Sequence, residues 1–213
     1  MRYPEACLQI FTRAPVAGSV KTRLIPKLGA DGAAQLQSQL THDVLAMSTA
    51  TNLCHVELWC SPDVHHRFFA ACQSRFSVPL QPQAAGDIGE KMKHAAASAL
   101  ASYGHVVIIG TDCPALCSTD IDLALQTLQQ GIDVCLKPAE DGGYVLIALR
   151  RRLDAVFDAM PWGTSQVMQA TRQRLNTLSV SYRELQTTWD LDRPEDLIRY
   201  ERFSGKIAHR QCG

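Results

Sequence analysis

Cationic side chains are concentrated in one segment near the start of the chain. The apolar stretch "ACLQIF" is followed by "TRAPVAGSVKTRLIPKLG", which carries Arg13, Lys21, Arg23 and Lys27. The 21 Lys and Arg residues are matched by 21 Asp and Glu, so this concentration is local. Several cations in a loop framed by Gly and Pro suit the oxygens of a phosphate chain, and a glycine lets the backbone approach them closely. The segment therefore predicts a phosphate-binding site, with a solvated loop as the alternative; its predicted members are Arg13, Gly18, Lys21 and Arg23.

Carboxylates form a second set, placed after later apolar stretches. Asp112 follows "HVVIIG", and Asp192 lies in "WDLDRPEDL". Carboxylate oxygens suit Mg²⁺ or Mn²⁺, and Mg²⁺ usually takes only one or two protein carboxylates beside its waters and phosphates. We predict Asp112 and Asp192 as metal ligands, with Asp190 competing for the second place. Since Asp also caps helices and turns, a purely structural role is the alternative for both.

Two further motifs suggest a second ligand pocket. "EDGGY" contains Asp141, Gly142 and Gly143, and "PWGT" contains Trp162. We predict that these four residues line an acceptor or sugar pocket. Asp-Gly is also a common hairpin turn, which is the alternative for the glycines. Packing beside a turn is the alternative for Trp162 and the favoured interpretation of Trp189, which could also line a ligand pocket. Cys113 is interpreted as a packing residue, since no paired His is visible for the thiol.

The elements that must position these residues alternate between strand-like and helix-like segments. This alternation is typical of a parallel sheet covered by helices. The predicted fold is a three-layer α/β/α sandwich with a mostly parallel sheet of about seven strands, antiparallel near "YVLIAL". In such sheets ligands bind beyond the carboxyl ends of the strands, where the cations and carboxylates converge. The strand candidates are 6–11, 54–60, 78–83, 105–110, 133–139, 144–149 and 178–185, and predicted helices begin at or near Asp31, Ser61, Asp87, Ser118 and Arg193.

Composition excludes several other classes of protein. A chain of 213 residues that is 46% hydrophobic can bury a core without cross-links, and we expect one domain over residues 1–213. A net charge of zero gives no field for nucleic acid or a membrane surface, and the N-terminal apolar run is too short for a membrane span or a signal peptide. We therefore expect a cytoplasmic protein with no nucleic-acid partner. Its eight cysteines lack zinc spacing and are predicted to be thiols.

Four motifs in this order resemble one known family: "PVAGSVKTRLIPKLG", "GTDCPAL", "PAEDGGYVLIAL" and "WDLDRPEDL". They resemble the bacterial glycosyltransferase-A-type transferases of the nucleotide-diphospho-sugar transferase superfamily, known as radical-SAM/selenodomain-associated transferases. "GSVKTRL" and "TDCP" are more distantly similar to molybdenum-cofactor and phospholactate guanylyltransferases. The resemblance implies that Lys21 and Arg23 bind phosphate and act in catalysis, that Asp112 binds the catalytic metal, and that Asp192 is the second metal carboxylate. "TDCP" departs from the Asp-x-Asp pair of typical glycosyltransferases of this fold.

The predicted function is metal-dependent transfer, with Mg²⁺ or Mn²⁺, from a nucleotide-activated donor to a small-molecule acceptor. Nucleotidyl transfer from a nucleoside triphosphate is favoured, because the additional cations Arg13 and Lys27 suit the larger charge of a triphosphate. Glycosyl transfer from a sugar nucleotide remains an alternative, as does a nucleotide-binding module without catalysis. The sequence identifies neither the base, the acceptor nor the oligomeric state.

Overall fold

The computed structural model describes residues 1–211, and the side chains of residues 1–204; Cys212 lies outside the described residues. Its strands are β1 (Ala6–Arg13), β2 (His55–Ser61), β3 (Leu80–Pro82), β4 (His105–Ile109), β5 (Val134–Pro138), β6 (Tyr144–Leu149) and β7 (Tyr182–Glu184). Its helices are α1 (Ile25–Ala50), α2 (Arg67–Phe76), α3 (Ile88–Leu100), α4 (Ser118–Gln129), α5 (Val167–Thr177) and α6 (Pro194–Gln211). No described helix has the length and apolar character to cross a membrane.

The strands form one seven-stranded sheet in the order β3-β2-β1-β4-β6-β5-β7. Only β6 runs against its neighbours, pairing antiparallel with β4 and β5, whereas the other pairs are parallel. The predicted mostly parallel sheet with an antiparallel "YVLIAL" strand is confirmed. The parallel strands all end at one edge of the sheet, and this edge is where the sequence places its cations and carboxylates.

Helices cover both faces of the sheet because its strands are apolar on both sides. On β1, Leu8 and Ile10 pack into a core with α1, α2 and α4, whereas Cys7 and Phe11 pack with α3 and α5 on the opposite face. Helix α6 packs through Leu197, Tyr200 and Phe203 on a separate cluster. This cluster includes Leu24 before α1, Leu40 of α1 and Leu191 before α6. The three layers of the predicted sandwich are therefore present, which confirms the fold class.

Two predicted helix starts differ from the structure, and one helix was not predicted. Helix α1 begins at Ile25 and is broken at Gly29, whose φ of 70° and ψ of 168° are not helical, so the predicted start at Asp31 corresponds to its second segment. Helix α2 begins at Arg67 and not at Ser61, because Ser61 belongs to β2 and His66 caps the helix. Helix α5 was not predicted, although its buried Val167, Met168, Thr171 and Leu175 have helical spacing.

Candidate functional site

Two adjoining cavities lie at the carboxyl edge of the sheet, and each contains predicted site residues. The first, of about 530 Å³, is hereafter called the cationic cleft. It is lined by Arg13 at the end of β1, by Lys21 and Arg23 of the following loop, and by Lys91 of α3. Asp112 and Asp192 complete its polar wall. The fold thus brings three of the predicted phosphate-binding residues to the two predicted metal carboxylates.

Only some residues of the loop between β1 and α1 line this cleft. Gly18 has a φ of 82° and supports a turn in which Ser19 N–H donates to Val16 O at 3.0 Å, but Gly18 does not line the cleft. Lys27 lies exposed on α1 and is also outside the lining. Lys91 was missed by the sequence analysis; its only signal is its position in the first turns of a helix capped by Asp87. The glycine therefore shapes the loop, and Lys91 adds a cation.

Two cations of the loop, Lys21 and Arg23, form ion pairs with the carboxylates that are predicted to bind metal. Lys21 Nζ lies 2.8 Å from Asp112 Oδ1 and donates to the carbonyl of Leu191 at 2.6 Å. Its side chain is 4% exposed, against 56% for Asp112. Arg23 forms an ion pair with Asp192 at the exposed end of the cleft. Both carboxylates thus occupy positions where positive charge is stabilised, which is also what a divalent cation requires.

Lys21 itself has an unusual backbone conformation. Its φ of 48° and ψ of 39° lie in the left-handed region, which a side chain other than glycine rarely adopts. The conformation directs the chain into a single 3-10 turn, Thr22–Leu24, and Leu24 is fully buried. Because such strain clusters at functional sites, it agrees with a functional role for the Lys21 ammonium group.

Buried hydroxyls under the cleft fix the strand ends that carry these groups. Thr12 of β1 shares a hydrogen bond of 2.9 Å with Thr41 of α1. The amide of Gln37 donates to Thr12 at 3.2 Å and to Thr111 at 3.1 Å. Gln37, Thr12 and Thr111 are all buried, and Thr111 immediately precedes Asp112. This polar network, unrecognised in the sequence, links α1 to the backbone that positions Asp112.

The second cavity, of about 340 Å³, is hereafter called the acidic cavity. It shares Arg23, Asp112 and several apolar residues with the cationic cleft, and Asp141 and Asp190 line it as well. Gly143 and Trp162 of the predicted acceptor pocket also lie in its wall. Its floor is apolar, formed by residues that include Phe11, Met92, Ile108, Ile147 and Val167.

The "EDGGY" segment is the tight turn between β5 and β6. Ala139 N–H donates to Gly143 O at 2.9 Å, and the Asp141 carboxylate accepts from Gly143 N–H at 2.8 Å. Gly142 has a φ of 90°, and a Cβ placed on it would lie 2.1 Å from the carbonyl oxygen of Ser165. Gly142 thus permits a close approach of two loops, while its neighbours Asp141 and Gly143 line the acidic cavity.

The carboxylates at the two cavities lie close enough for their charges to interact. Burial, and then the charges of Asp141, Asp192 and Asp112, raise the pKa of Asp190 to about 6. Among the described residues, no three His, Cys, Asp or Glu side chains are arranged to hold a metal by themselves. Since Mg²⁺ is usually held by one or two carboxylates together with substrate phosphates, a pair of oxygen ligands beside a cationic cleft fits this ion.

The two residues interpreted as packing residues are buried. Trp189 is 6% exposed, stacks edge-on against Phe203 and carries the Arg199 guanidinium 4.6 Å from its ring centroid. Cys113 is 3% exposed, and burial raises the pKa of its thiol. A thiol so protected from ionisation is a poor nucleophile.

The sheet order and the site at its carboxyl edge define a glycosyltransferase-A-type fold, shared by nucleotide-diphospho-sugar transferases and cytidylyltransferases. The chain belongs to the family described as "Uncharacterized protein conserved in bacteria (DUF2064)", whose model matches residues 44–164. The predicted link to radical-SAM and selenodomain proteins stays a prediction. No curated protein matches the sequence.

Solved structures show how widely this fold is used. A protein from Desulfovibrio desulfuricans G20, provisionally described as a nucleotide-diphospho-sugar transferase, is 30% identical, with 89% of this chain and 83% of that chain covered and a TM-score of 0.82. The 4-diphosphocytidyl-2C-methyl-D-erythritol synthase of Anaerococcus prevotii is 9% identical, with coverage of 95% and 96% and a TM-score of 0.65. Glucosyl-3-phosphoglycerate synthase of Mycobacterium tuberculosis, solved with Mn²⁺ and UDP, is 10% identical, with coverage of 92% and 75% and a TM-score of 0.53.

Proposed function

We propose that this chain is a metal-dependent transferase that moves a nucleotidyl group from a nucleoside triphosphate to a small-molecule acceptor. The observation that carries the proposal is the cationic cleft, in which four cations surround Asp112 at the carboxyl edge of the sheet. Such a cluster suits a triphosphate, whose charge exceeds that of the diphosphate in a sugar nucleotide. The members of the cluster are Arg13, Lys21, Arg23 and Lys91.

The residues of the cleft have separate proposed roles. Lys21 and Arg23 hold the β- and γ-phosphates and stabilise the negative charge of the departing pyrophosphate. Arg13 and Lys91 extend the positive surface along the phosphate chain. An acceptor oxygen forms a bond to the α-phosphorus, the bond to the β-phosphate oxygen breaks, and the proton of the acceptor is released to solvent.

The metal-binding role is assigned to Asp112 and Asp192. Both already carry cationic partners in the structure, and both line the cationic cleft. When bound, Mg²⁺ or Mn²⁺ supplies charge neutralisation at the phosphate oxygens. The ammonium and guanidinium groups of Lys21 and Arg23 are then available to the phosphates, since the metal satisfies the carboxylates in their place.

The acceptor is assigned to the acidic cavity. This cavity adjoins the cleft through Arg23 and Asp112, so a molecule in it lies beside the donor phosphates. Trp162 and Asp141, two of the residues predicted for the acceptor pocket, line this cavity, which supports the assignment. The separation into one cationic and one acidic compartment supports transfer between two different substrates.

Glycosyl transfer is the second candidate, and one observation favours it. The 30% identical protein from D. desulfuricans carries a provisional description as a nucleotide-diphospho-sugar transferase. In that reaction the same cations would stabilise a departing nucleoside diphosphate. The two reactions therefore differ in their by-products and not in the residues that they require.

The by-products give the test. The protein is incubated with Mg²⁺ or Mn²⁺, with each of four ribonucleoside triphosphates or with a set of sugar nucleotides, and with a cell-extract pool of acceptors. Pyrophosphate is expected from a triphosphate, retained in Lys27→Ala and lost in Asp112→Asn. Nucleoside diphosphate from a sugar nucleotide, without pyrophosphate from any triphosphate, would establish glycosyl transfer instead. Neither product, with nucleotide binding intact, would identify a binding module.

A further inference from the structure

The acidic cavity has an unusual charge for a site beside a phosphate-binding cleft. Its lining residues that are charged at neutral pH are Asp112, Asp141, Asp190 and Arg23. Arg23 is already paired with Asp192. Neither a lysine nor a histidine lines this cavity in the part of the chain that the structure describes. Asp112 is likewise paired with Lys21, so Asp141 and Asp190 leave the wall with a net negative charge.

Two buried donors in the same wall have no partner. Tyr144 and Trp162 both line the cavity, and their rings stack edge-on with centroids 6.2 Å apart. The hydroxyl of Tyr144 and the indole N–H of Trp162 are buried without a hydrogen bond among the described residues. Both polar atoms are covered by protein, so the two residues offer the cavity their rings and not their donors. An aromatic surface beside carboxylates suits a ligand that has an apolar face and a positive or hydrogen-bond-donating group.

We infer that the acceptor is a hydroxyl- or amine-bearing molecule with an apolar face and without a negative charge at the end that enters the acidic cavity. The inference rests on the proposed transferase function and specifies its second substrate. A hydroxyl donates to Asp141 or Asp190, whereas an ammonium group pairs with the carboxylates and the aromatic faces.

A phosphate or carboxylate group on the acceptor would be repelled. Two like charges in close contact repel weakly in water and several times more strongly in a partly buried site. A divalent ion held by Asp112 and Asp192 would leave the charges of Asp141 and Asp190 in place. The apolar floor, which includes Phe11, Met92 and Ile108, binds the remaining face of the molecule by burial from water.

The test uses three probes of the same shape: benzyl alcohol, benzylamine and benzoate. Binding to the full-length protein is followed by the ¹⁵N-indole resonance of Trp162, assigned through Trp162→Phe. Trp59 serves as an internal reference, because it is buried and its indole N–H is bonded to Glu57 at 3.0 Å. We expect benzyl alcohol and benzylamine to shift the Trp162 resonance and to bind at least about tenfold more tightly than benzoate.

Two substitutions test whether the carboxylates cause the preference for benzylamine over benzoate. Asp141→Asn and Asp190→Asn should each weaken benzylamine binding about tenfold and narrow the difference from benzoate. Asp43→Asn, an exposed carboxylate bonded to Gln39 on α1, is the matched control and should change nothing. If the Asp190→Asn variant fails to fold, the Asp141→Asn variant alone tests whether the carboxylates cause the preference, since Asp141 is exposed.

Benzoate binding as tightly as the other two probes, or no shift of Trp162 with any probe, would overturn the inference. This failure is separable from failure of the proposed function. Pyrophosphate release with a preference for benzoate would leave the transferase standing and remove only the acceptor class. A preference for benzyl alcohol and benzylamine without any by-product would leave the ligand class of the acidic cavity standing and would remove the transferase function.

Discussion

The ion pair between Lys21 and Asp112 combines groups of very different exposure. The lysine side chain is almost fully buried, and its ammonium group is held by one carboxylate and one carbonyl. Asp112 is more than half exposed and can therefore turn to another cation. The pair thus holds the lysine in place while leaving the carboxylate accessible, which suits a site where a metal-bound nucleotide enters.

Replacement of Asp112 by Asn tests the metal site. We expect Asp112→Asn to abolish the additional thermal stabilisation that Mg²⁺ gives in the presence of nucleotide, because an amide is a weaker metal ligand than a carboxylate. The unfolding temperature without ligand should also fall, since the buried Lys21 ammonium group keeps only its carbonyl partner. Thermal unfolding with and without metal and nucleotide measures both effects. Unchanged metal dependence would exclude Asp112 as a ligand.

Loss of a cation tests the phosphate site. Lys21→Met or Arg23→Ala should weaken binding of the best nucleoside triphosphate by about 1.5–3 kcal/mol, because a charge-assisted hydrogen bond is lost. Binding of the corresponding nucleoside should not change. Lys27→Ala is the control, since Lys27 is exposed and lies outside the cleft. Calorimetric titration gives the affinities, and equal losses for nucleoside and triphosphate would indicate a folding defect instead.

At the scale of elements, the β5–β6 turn is held against the loop before α5. The carbonyl of Gly142 accepts from Met168 N–H at 2.8 Å, and Gly142 has no room for a side chain. Two cavity residues, Asp141 and Trp162, are carried by these two loops. The close approach of the loops therefore determines the width of the acidic cavity.

A pair of alanine substitutions isolates this contact. Gly142 and Gly131 have the same φ of 90°, but a Cβ on Gly131 would meet nothing within 4 Å. Gly131→Ala should therefore cost about 1 kcal/mol from backbone strain alone. Gly142→Ala should cost about 2–3 kcal/mol more, because the loops must separate. Urea denaturation measures the difference, and equal costs would show that the loop contact contributes nothing.

The sequence predicted the elements better than it predicted their contacts. Alternation of apolar stretches predicted all seven strands and the antiparallel β6, since buried strands leave a strong local pattern. The predicted start of α2 was wrong because Ser61 and Pro62 are residue types typical of a helix N-terminus, although Ser61 is the last residue of β2. Lys91 and Gln37 were missed because their position beside the cleft depends on how α3 and α1 pack, which no local pattern records.

At the scale of the whole molecule, seven cysteines lie among the described residues and all are free. Six are buried, and burial raises the pKa of the Cys60 thiol to about 12, so these groups resist ionisation and oxidation. We expect eight thiols per chain by titration under denaturing, non-reducing conditions, including Cys212. A lower number in protein prepared without air would contradict the prediction of a cytoplasmic protein whose cysteines are all thiols.

At the edge of the sheet opposite the two cavities, one buried carboxylate connects the ends of three strands. Asp133, which precedes β5, accepts from Arg150 Nη2 at 2.6 Å, from Arg151 Nε at 3.0 Å and from the hydroxyl of Ser181 at 3.2 Å. These contacts connect the ends of β5, β6 and β7. The hydrogen bond from Arg151, followed by that from Arg150, lowers the pKa of Asp133 to about 2.

This shift predicts how stability depends on pH. Because the pKa of Asp133 is lower in the folded state than its ordinary value of 3.8, the carboxylate stabilises the fold fully above about pH 5, and this contribution is lost progressively as the pH falls through 3.8 toward 2. Asp133→Asn should reduce the free energy of unfolding at pH 7 by about 1–2 kcal/mol, since both arginines are half-exposed and screened by solvent. The difference from the unaltered protein should shrink between pH 5 and pH 3, as measured by urea denaturation. Asp43→Asn provides the control, and a difference that stays constant down to pH 3 would show that the charge of Asp133 does not stabilise the sheet.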